Sequence, residues 1–202
     1  MFKNITGIVL AGGESRRMGH HKATIEIDGT PLLKKSVLLF KEIFPEVIAL
    51  SKEPGSFGDV GCKEVGDLFS GMGPIVGILT AFKVTTSDYI FVAACDMPFL
   101  NKNLIELIVN EGQGFDVALP GVGDKSDPLH ALYSRNTYER MLSFMENEGR
   151  SLNRFINSLH AKKVRYISEE EIRAVDPHAL SLFNMNTPEE LEKAKKLLSD
   201  DK

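Results

Sequence analysis

Short, almost continuous apolar runs alternate in this chain with longer segments in which apolar residues recur at helical spacing. The runs at 5–10 and 88–95 are rich in β-branched and aromatic residues, and they are followed by glycines and by an aspartate, respectively. Runs of this length are typical of strands that are buried on both faces, as in a parallel sheet. The alternation therefore predicts an α/β fold with a mostly parallel central sheet covered by helices on both faces.

The other elements are predicted from the same two patterns, apolar runs for strands and helical spacing of apolar residues for helices, and from residues that begin helices. Pro31 and Pro74 suit a first helical turn, and Asn101 is a good cap for the helix that follows it. No repeat or long linker divides the 202 residues, so we expect residues 1–202 to form one domain. We predict helices over 31–44, 73–84, 137–147, 152–159 and 188–198 and one after Asn101, and further strands over 46–50, 116–120, 129–134 and 163–167.

The overall composition excludes several classes of protein. With 24 basic and 28 acidic residues the net charge is −4, which argues against a non-specific nucleic-acid binder. The two cysteines, Cys62 and Cys95, are too few for a disulfide framework or a zinc site. The first residues lack the features of a signal peptide, and no apolar run approaches the ~20 residues that span a bilayer. We therefore expect a cytoplasmic protein without a membrane partner.

The turn after the first predicted strand reads LAGGESRRMGHHK over 10–22. Because glycine has no Cβ, the adjacent Gly12 and Gly13 allow main-chain N–H groups to approach a phosphate closely. Arginine and lysine side chains in the same segment are suitable donors to phosphate oxygens. The turn therefore predicts a nucleoside triphosphate site, although a strand-to-helix turn with solvated arginines is the alternative. The cations are Arg16, Arg17 and Lys22.

Two common nucleotide motifs do not match this turn. The dinucleotide-binding motif needs alternate glycines in the pattern Gly-x-Gly-x-x-Gly, whereas Gly12 and Gly13 are adjacent. The P-loop needs four residues between its glycines and then Lys-Ser/Thr. Here five residues separate Gly13 from Gly19, and two histidines follow. The dehydrogenase and P-loop hypotheses therefore lose most of their support.

Asp96 follows the most strand-like run of the chain and precedes Met97 and Pro98. A carboxylate at the carboxyl edge of a parallel sheet is well placed to hold Mg²⁺, which prefers oxygen ligands and substrate phosphates. An aspartate that only stabilises the following turn is the alternative. Asp67, in a glycine-rich loop before a helix, either contacts the ligand or only caps its loop. His130 lies in a predicted strand and either faces the site or is a buried strand residue.

Taken together, these motifs resemble the molybdenum cofactor guanylyltransferase family, whose signature is L-A-G-G-x-S-x-R-M-G-x-D-K. The resemblance extends over nearly the whole chain. It includes Asp67, the helix start at 73–77, the Cys-Asp-Met-Pro sequence at 95–98 and the Phe-Asn-Met-Asn-Thr-Pro sequence at 183–188. Related cytidylyltransferases of the same fold have alanine at the position of Gly12, so this glycine favours guanine.

The resemblance implies a Rossmann-like three-layer sandwich of the nucleotide-diphospho-sugar transferase type, and a reaction. GTP and Mo-molybdopterin would give molybdopterin guanine dinucleotide and pyrophosphate with Mg²⁺, and molybdoenzymes or their chaperones would receive the product. It implies that Lys22 and Asp96 act at the phosphates of GTP, with the metal on Asp96, and we assign Arg17 as a supporting catalytic cation. Asn184 and Asn186 would lie on the molybdopterin side. The implied GTP contacts are Leu10, Ala11, Gly12, Gly13, Lys22, Asp67 and Asp96.

Two positions depart from the family pattern. His21 replaces the aspartate that usually precedes the lysine, and Ser51 replaces an asparagine that contacts the nucleotide at the end of the second major strand. Both replacements affect the expected geometry of nucleotide recognition. Two other hypotheses remain open: a nucleotidyltransferase that acts on a sugar phosphate or another small alcohol, and a non-catalytic module that carries nucleotide or cofactor.

Overall fold

The computed structural model describes residues 1–11, 22–52, 54–69, 73–122 and 125–200, with the main chain alone at Lys22, Lys125, Ser199 and Asp200. This part of the chain contains ten β-strands and seven α-helices. The strands are β1 (Ile5–Leu10), β2 (Glu26–Ile27), β3 (Thr30–Pro31), β4 (Glu46–Ser51), β5 (Lys63–Gly66), β6 (Tyr89–Ala94), β7 (Val117–Val122), β8 (Lys125–Ser126), β9 (His130–Ser134) and β10 (Val164–Ile167). The helices are α1 (Leu32–Ile43), α2 (Pro74–Val84), α3 (Lys102–Gly112), α4 (Tyr138–Asn147), α5 (Leu152–Ser158), α6 (Glu169–Val175) and α7 (Pro188–Asp200).

The central sheet has the strand order β10-β7-β9-β6-β1-β4-β5. Strands β6, β1, β4 and β5 are parallel to one another, as are β10 and β7, whereas β9 is antiparallel to both of its neighbours. The short β8 adds to β7, and β2 and β3 form a separate hairpin. The prediction of a mostly parallel sheet is confirmed. No helix of the described ranges is long and apolar enough to cross a membrane.

Side chains of β1 alternate between two apolar layers, one on each face of the sheet. Helices cover both of these faces, so the fold is a three-layer sandwich of helices, sheet and helices. Ile5 and Val9 belong to the layer under α1, α3 and α6. Ile8 and Leu10 belong to the opposite layer, under α2, α4 and α5. Gly7 allows two phenylalanine rings to pack directly on β1, since a Cβ at this position would come within 2.7 Å of both the Phe40 and Phe44 rings.

Besides the short 3₁₀ helices, four elements were not predicted, namely β5, the β2–β3 hairpin, the two-residue β8 and α6, and each lacks a strong hydrophobic pattern. Edge strand β5 has no buried residue. The β2–β3 hairpin has strands of two residues, although its Asp28-Gly29 turn, with positive φ at both residues, is a recognised hairpin signal. Helix α6 buries Ile172 alone, but Ser168 and Glu171 form the capping box that begins it, which is visible in the sequence.

Candidate functional site

The carboxyl ends of β1, β4, β5 and β6 meet at one edge of the sheet because these strands are parallel. The main chains that leave this edge are hydrogen-bonded to one another: the Ala11 N–H donates to the Leu50 carbonyl at 2.7 Å, and the Cys95 N–H donates to the Leu10 carbonyl at 3.0 Å. Asp96 therefore leaves the sheet directly beside the start of the turn at 10–22. This is the edge at which open α/β sheets bind ligands.

The segment that carries Asn184 and Asn186 is attached to Asp96. The Met185 N–H donates to the Asp96 carbonyl oxygen at 2.9 Å, and the Met185 side chain is fully buried. This methionine packs with Ile27 and with residues of α1 and α7. Chain positions almost ninety residues apart are thus brought together at the carboxyl end of β6, and the two asparagines flank a buried anchor.

The main chain at Asn186 is fixed by the first turn of α7. The Glu190 carboxylate accepts hydrogen bonds from the Asn186 N–H at 2.5 Å and from the Thr187 N–H at 2.9 Å. The Thr187 hydroxyl in turn accepts from the Glu190 N–H at 3.2 Å. This reciprocal pair is a capping box, which satisfies N–H groups that a helix start would leave without partners. Asn186 is exposed at the end of this cap.

Asn184 is held from the opposite side by Asp127, a residue that no sequence motif singled out. The Asn184 Nδ2 donates to the Asp127 Oδ2 at 3.2 Å. Strand β9 is antiparallel to its neighbours, so the turn that precedes it lies at the carboxyl edge of β6. There the Ala94 N–H donates to the Leu129 carbonyl at 3.1 Å. The described part of the site therefore contains two half-buried aspartates, Asp96 and Asp127.

Asp67 lies at the same edge, directly after β5. Two strands, β4 and β1, separate β5 from β6, so Asp67 is about 14 Å from Asp96 at the usual strand spacing. The Asp67 side chain is exposed, yet partial desolvation raises the pKa of its carboxyl, while nearby Lys52 acts in the opposite direction. The structure thus places Asp67 and Asp96 on opposite sides of the end of β1.

Leu10 and Ala11 have buried side chains, so a ligand at the start of the turn would meet their main chain. Gly77 of α2 packs against Leu10, since a Cβ there would come within 2.9 Å of the Leu10 Cδ2. At the end of β4, Ser51 is buried, and its hydroxyl has no hydrogen-bond partner within the described ranges. The predicted residues Gly12, Gly13, Arg17 and His21 lie outside the described residues, and of Lys22 only the main chain is described, at the start of a 3₁₀ helix.

His130 is a fully buried residue of β9, so of the two interpretations the structure favours the buried strand residue. Its ring packs edge-on against Phe91, with 5.7 Å between ring centroids, and neither ring nitrogen makes a hydrogen bond of normal geometry in the described part. Burial lowers the pKa of His130 to about 4, although Asp127, the main chain of Ser181 and Asp176 act in the opposite direction. His130 is therefore neutral at pH 7.

This burial predicts an acid-sensitive stability. An unfolded histidine binds a proton below about pH 6.5, whereas folded His130 does so only below about 4. The unfolded state therefore binds more protons in this window, and the free energy of unfolding falls as the pH is lowered through it, by up to about 3 kcal/mol. We expect His130→Phe to remove this contribution. Urea unfolding of both proteins between pH 7 and 4.5 measures it, and parallel pH profiles would contradict the prediction.

Within the described ranges no three side chains of histidine, cysteine, aspartate or glutamate are grouped closely enough to hold a metal ion. The donors at the site are single carboxylates and amides. This set suits Mg²⁺, which is commonly bound by one or two carboxylates together with substrate phosphates and water. Asp96, beside the turn at 10–22, is the carboxylate that fits this role.

Comparison with known proteins gives consistent similarities. The MobA-like NTP transferase domain matches residues 7–164, which include the ends of β1, β4, β5 and β6. A molybdenum cofactor guanylyltransferase from Desulfosudis oleivorans is 36% identical over 193 residues, which cover 94% of each protein. The crystal structure of molybdopterin-guanine dinucleotide biosynthesis protein A from Archaeoglobus fulgidus has a TM-score of 0.84 at 26% identity and covers 96% of this chain and 99% of that one.

A second solved structure, 4-diphosphocytidyl-2C-methyl-D-erythritol synthase from Anaerococcus prevotii, has a TM-score of 0.72 at 14% identity and covers 98% of this chain and 96% of that one. At this identity the similarity shows the fold alone. The three-layer sandwich is thus the fold of nucleotidyltransferases, as predicted.

Proposed function

Because the chain belongs to the MobA-like NTP transferase family, we propose that it transfers GMP from GTP to Mo-molybdopterin, which gives molybdopterin guanine dinucleotide and pyrophosphate. One observation carries this proposal: the hydrogen bond from Met185 to the main chain of Asp96. It joins the segment proposed to contact molybdopterin to the aspartate proposed to act at the phosphates of GTP. The two substrates would therefore meet beside the end of β1.

The proposed chemistry is an in-line displacement. The terminal phosphate of molybdopterin forms a bond to the α-phosphorus of GTP, and the bond from this phosphorus to the bridging oxygen breaks, so that pyrophosphate leaves. A phosphate monoester has a second pKa of about 6 and is largely ionised at neutral pH, so the attack needs no general base. Catalysis then depends on positioning and on neutralisation of charge.

Each proposed site residue has one task in this displacement. The main chain over 10–13 would hold the phosphates of GTP, and Asp67 would contact the nucleotide. Lys22 would neutralise phosphate charge, with Arg17 as a second cation. Asp96 would hold Mg²⁺, which when bound supplies positive charge to the phosphate oxygens. On the other side of Asp96, Asn184 and Asn186 would contact molybdopterin.

We also place the reaction in the cytoplasm, with molybdoenzymes or their chaperones as recipients of the product. The cysteine usage supports a reducing compartment: Cys95 is buried, Cys62 is half-buried, and neither is in a disulfide. Pull-down of the protein loaded with its product from a cell extract, followed by transfer of the cofactor to an apoenzyme, tests the recipients.

Nucleotide and acceptor preference test the function directly. We expect calorimetry with Mg²⁺ to show GTP binding at least tenfold more tightly than ATP, CTP or UTP, and incubation with GTP and Mo-molybdopterin to yield the dinucleotide. Preference for UTP or CTP, with transfer to a sugar phosphate, would support the sugar-nucleotide alternative. Tight nucleotide binding without turnover on either acceptor would support a non-catalytic carrier.

Replacement of Lys22 with alanine should weaken GTP binding by about 10-fold or more, since a charge-assisted hydrogen bond contributes about 1.5–3 kcal/mol. Calorimetric titration with GTP and Mg²⁺ measures the change. Lys83→Ala is the matched control, because this exposed lysine lies in the last turn of α2, which runs away from the carboxyl edge. Equal GTP affinities of Lys22→Ala and Lys83→Ala would remove Lys22 from the site.

A further inference from the structure

The two carboxylate oxygens of Asp127 have different partners. Oδ1 accepts a hydrogen bond from the Leu129 N–H at 3.0 Å, within the turn that leads into β9. Oδ2 accepts from the Nδ2 of Asn184 at 3.2 Å, across a separation of 57 residues. Asp127 therefore links a local turn to a segment that is remote in the sequence, and the turn determines which oxygen faces Asn184.

The turn that carries Asp127 is held by several further hydrogen bonds. The Asp127 N–H donates to the Pro120 carbonyl at 3.3 Å, and the His130 N–H donates to the Asp127 carbonyl at 3.2 Å. The hydroxyl of the fully buried Tyr133 donates to the Pro128 carbonyl at 2.7 Å. Because the main chain is fixed at these points, the Asp127 carboxylate has little freedom to follow Asn184 if the latter rotates.

An ionised carboxylate accepts hydrogen bonds and donates none. The atom of Asn184 that faces Asp127 is therefore its Nδ2, and the amide cannot be reversed without the loss of this bond. Its carbonyl oxygen, Oδ1, is not used by Asp127 and is the acceptor that Asn184 can offer to a ligand. An acceptor oxygen beside a carboxylate suits an N–H donor and disfavours a phosphate, which is itself an anionic acceptor.

We propose that Asp127 is a positioning residue that orients the amide of Asn184, so that this half-site recognises N–H donors such as the amide and amino edge of a pterin. The inference rests on the proposed function for the identity of the acceptor substrate. It adds which atom of Asn184 makes the contact, and it assigns the phosphate of the acceptor to a part of the site away from Asp127 and Asn184.

Asp127→Asn tests the orientation, because the turn still needs an acceptor for the Leu129 N–H. The new Oδ1 keeps that bond, and the new Nδ2 then faces Asn184. Asn184 must rotate to accept from it, and its own NH₂ group then faces the substrate. We expect the KM for Mo-molybdopterin to rise about 10-fold or more, the usual effect of one mismatched buried hydrogen bond. GTP affinity and the midpoint of thermal unfolding should stay near those of the wild type.

The double variant Asp127→Asn/Asn184→Asp should restore recognition. The carboxylate introduced at position 184 would accept from the Nδ2 introduced at position 127 and would again offer an acceptor oxygen. We expect the KM for Mo-molybdopterin to return to within about threefold of the wild type, whereas Asn184→Asp alone, which opposes two carboxylates, should raise it. Asp88→Asn is the matched control, because Asp88 also accepts from an asparagine, Asn4, at 3.1 Å, but at the opposite end of β6.

The inference would be overturned, while the proposed function stands, by an unchanged KM in Asp127→Asn, by no recovery in the double variant, or by a loss of GTP affinity in Asp127→Asn as large as its rise in KM. Side-chain amide exchange of Asn184, measured by ¹⁵N NMR, gives a readout that needs no turnover. We expect slow exchange in the wild type and faster exchange in Asp127→Asn. Equal exchange rates would overturn the orientation. Failure of wild-type protein to form the dinucleotide would overturn the proposed function and, with it, the pterin as acceptor, whereas the exchange rates would still test the orientation of Asn184.

Discussion

Replacement of Asp96 with alanine should abolish measurable transfer of GMP, with a loss of at least about 10²–10³-fold, as for the removal of one preorganised electrostatic group at an active site. In the proposed reaction this carboxylate holds Mg²⁺ against the phosphates of GTP. The protein should remain folded, because the Met185 N–H donates to the main-chain carbonyl of residue 96, and this bond survives the substitution. Turnover at saturating GTP and Mg²⁺, together with the midpoint of thermal unfolding, measures both effects.

Asp88→Ala provides a control for this experiment on the same strand. Asp88 directly precedes β6, at the end opposite to Asp96, and it is exposed. Loss of the Asp88 side chain should leave turnover within about twofold of the wild type, because this residue is remote from the site and surface substitutions change stability little. Full activity of Asp96→Ala with Mg²⁺ would remove this residue from the proposed mechanism.

Replacement of Phe91 with alanine should lower the free energy of unfolding by about 3–5 kcal/mol, the usual effect of removing a buried phenylalanine. Phe91 lies in β6, is fully buried, and has its ring centroid 5.7 Å from those of Phe40, Phe44 and His130. The cavity would open in the layer under α1, on the face of β6 that packs against this helix. Chemical denaturation at pH 7 measures the loss.

Leu38→Ala is the matched control for Phe91→Ala, since Leu38 belongs to α1 but is 53% exposed. Leu38→Ala should change the free energy of unfolding by no more than about 0.5 kcal/mol. A loss of less than about 1 kcal/mol in Phe91→Ala would mean that the aromatic cluster of this layer repacks around the missing ring, and would contradict the close packing inferred for this layer.

The central sheet could be predicted from the sequence because its inner strands are buried on both faces. The runs at 5–10 and 88–95 correspond to β1 (Ile5–Leu10) and β6 (Tyr89–Ala94), which are neighbours in the sheet. Since parallel strands end at one edge, the sequence predicted that Asp96 and the turn after β1 share an edge of the sheet. That they are adjacent there follows from the strand order in the structure. Edge strand β5 was missed because it has no buried face to impose a period on its residues.

The Asp127–Asn184 pair shows why the rest of the site could not be predicted. A hydrogen bond between side chains 57 residues apart leaves no periodicity or spacing in a single sequence. Asn184 was predicted through the family resemblance, whereas Asp127 follows Ser126 and precedes Pro128 and so resembled an ordinary turn residue. The roles of Gly12 and Arg17 remain predictions, since both residues lie outside the described ranges.

Transfer of label from GTP tests the central claim most directly. The protein is incubated with Mg²⁺, Mo-molybdopterin and GTP labelled with ³²P at either the α- or the γ-phosphate. We expect α-label to appear in molybdopterin guanine dinucleotide, and γ-label in pyrophosphate, in equal molar amounts. Two results would contradict the proposed function. One is release of the γ-label as inorganic phosphate. The other is α-label that stays in free guanine nucleotides while CTP or UTP supports transfer to a sugar phosphate.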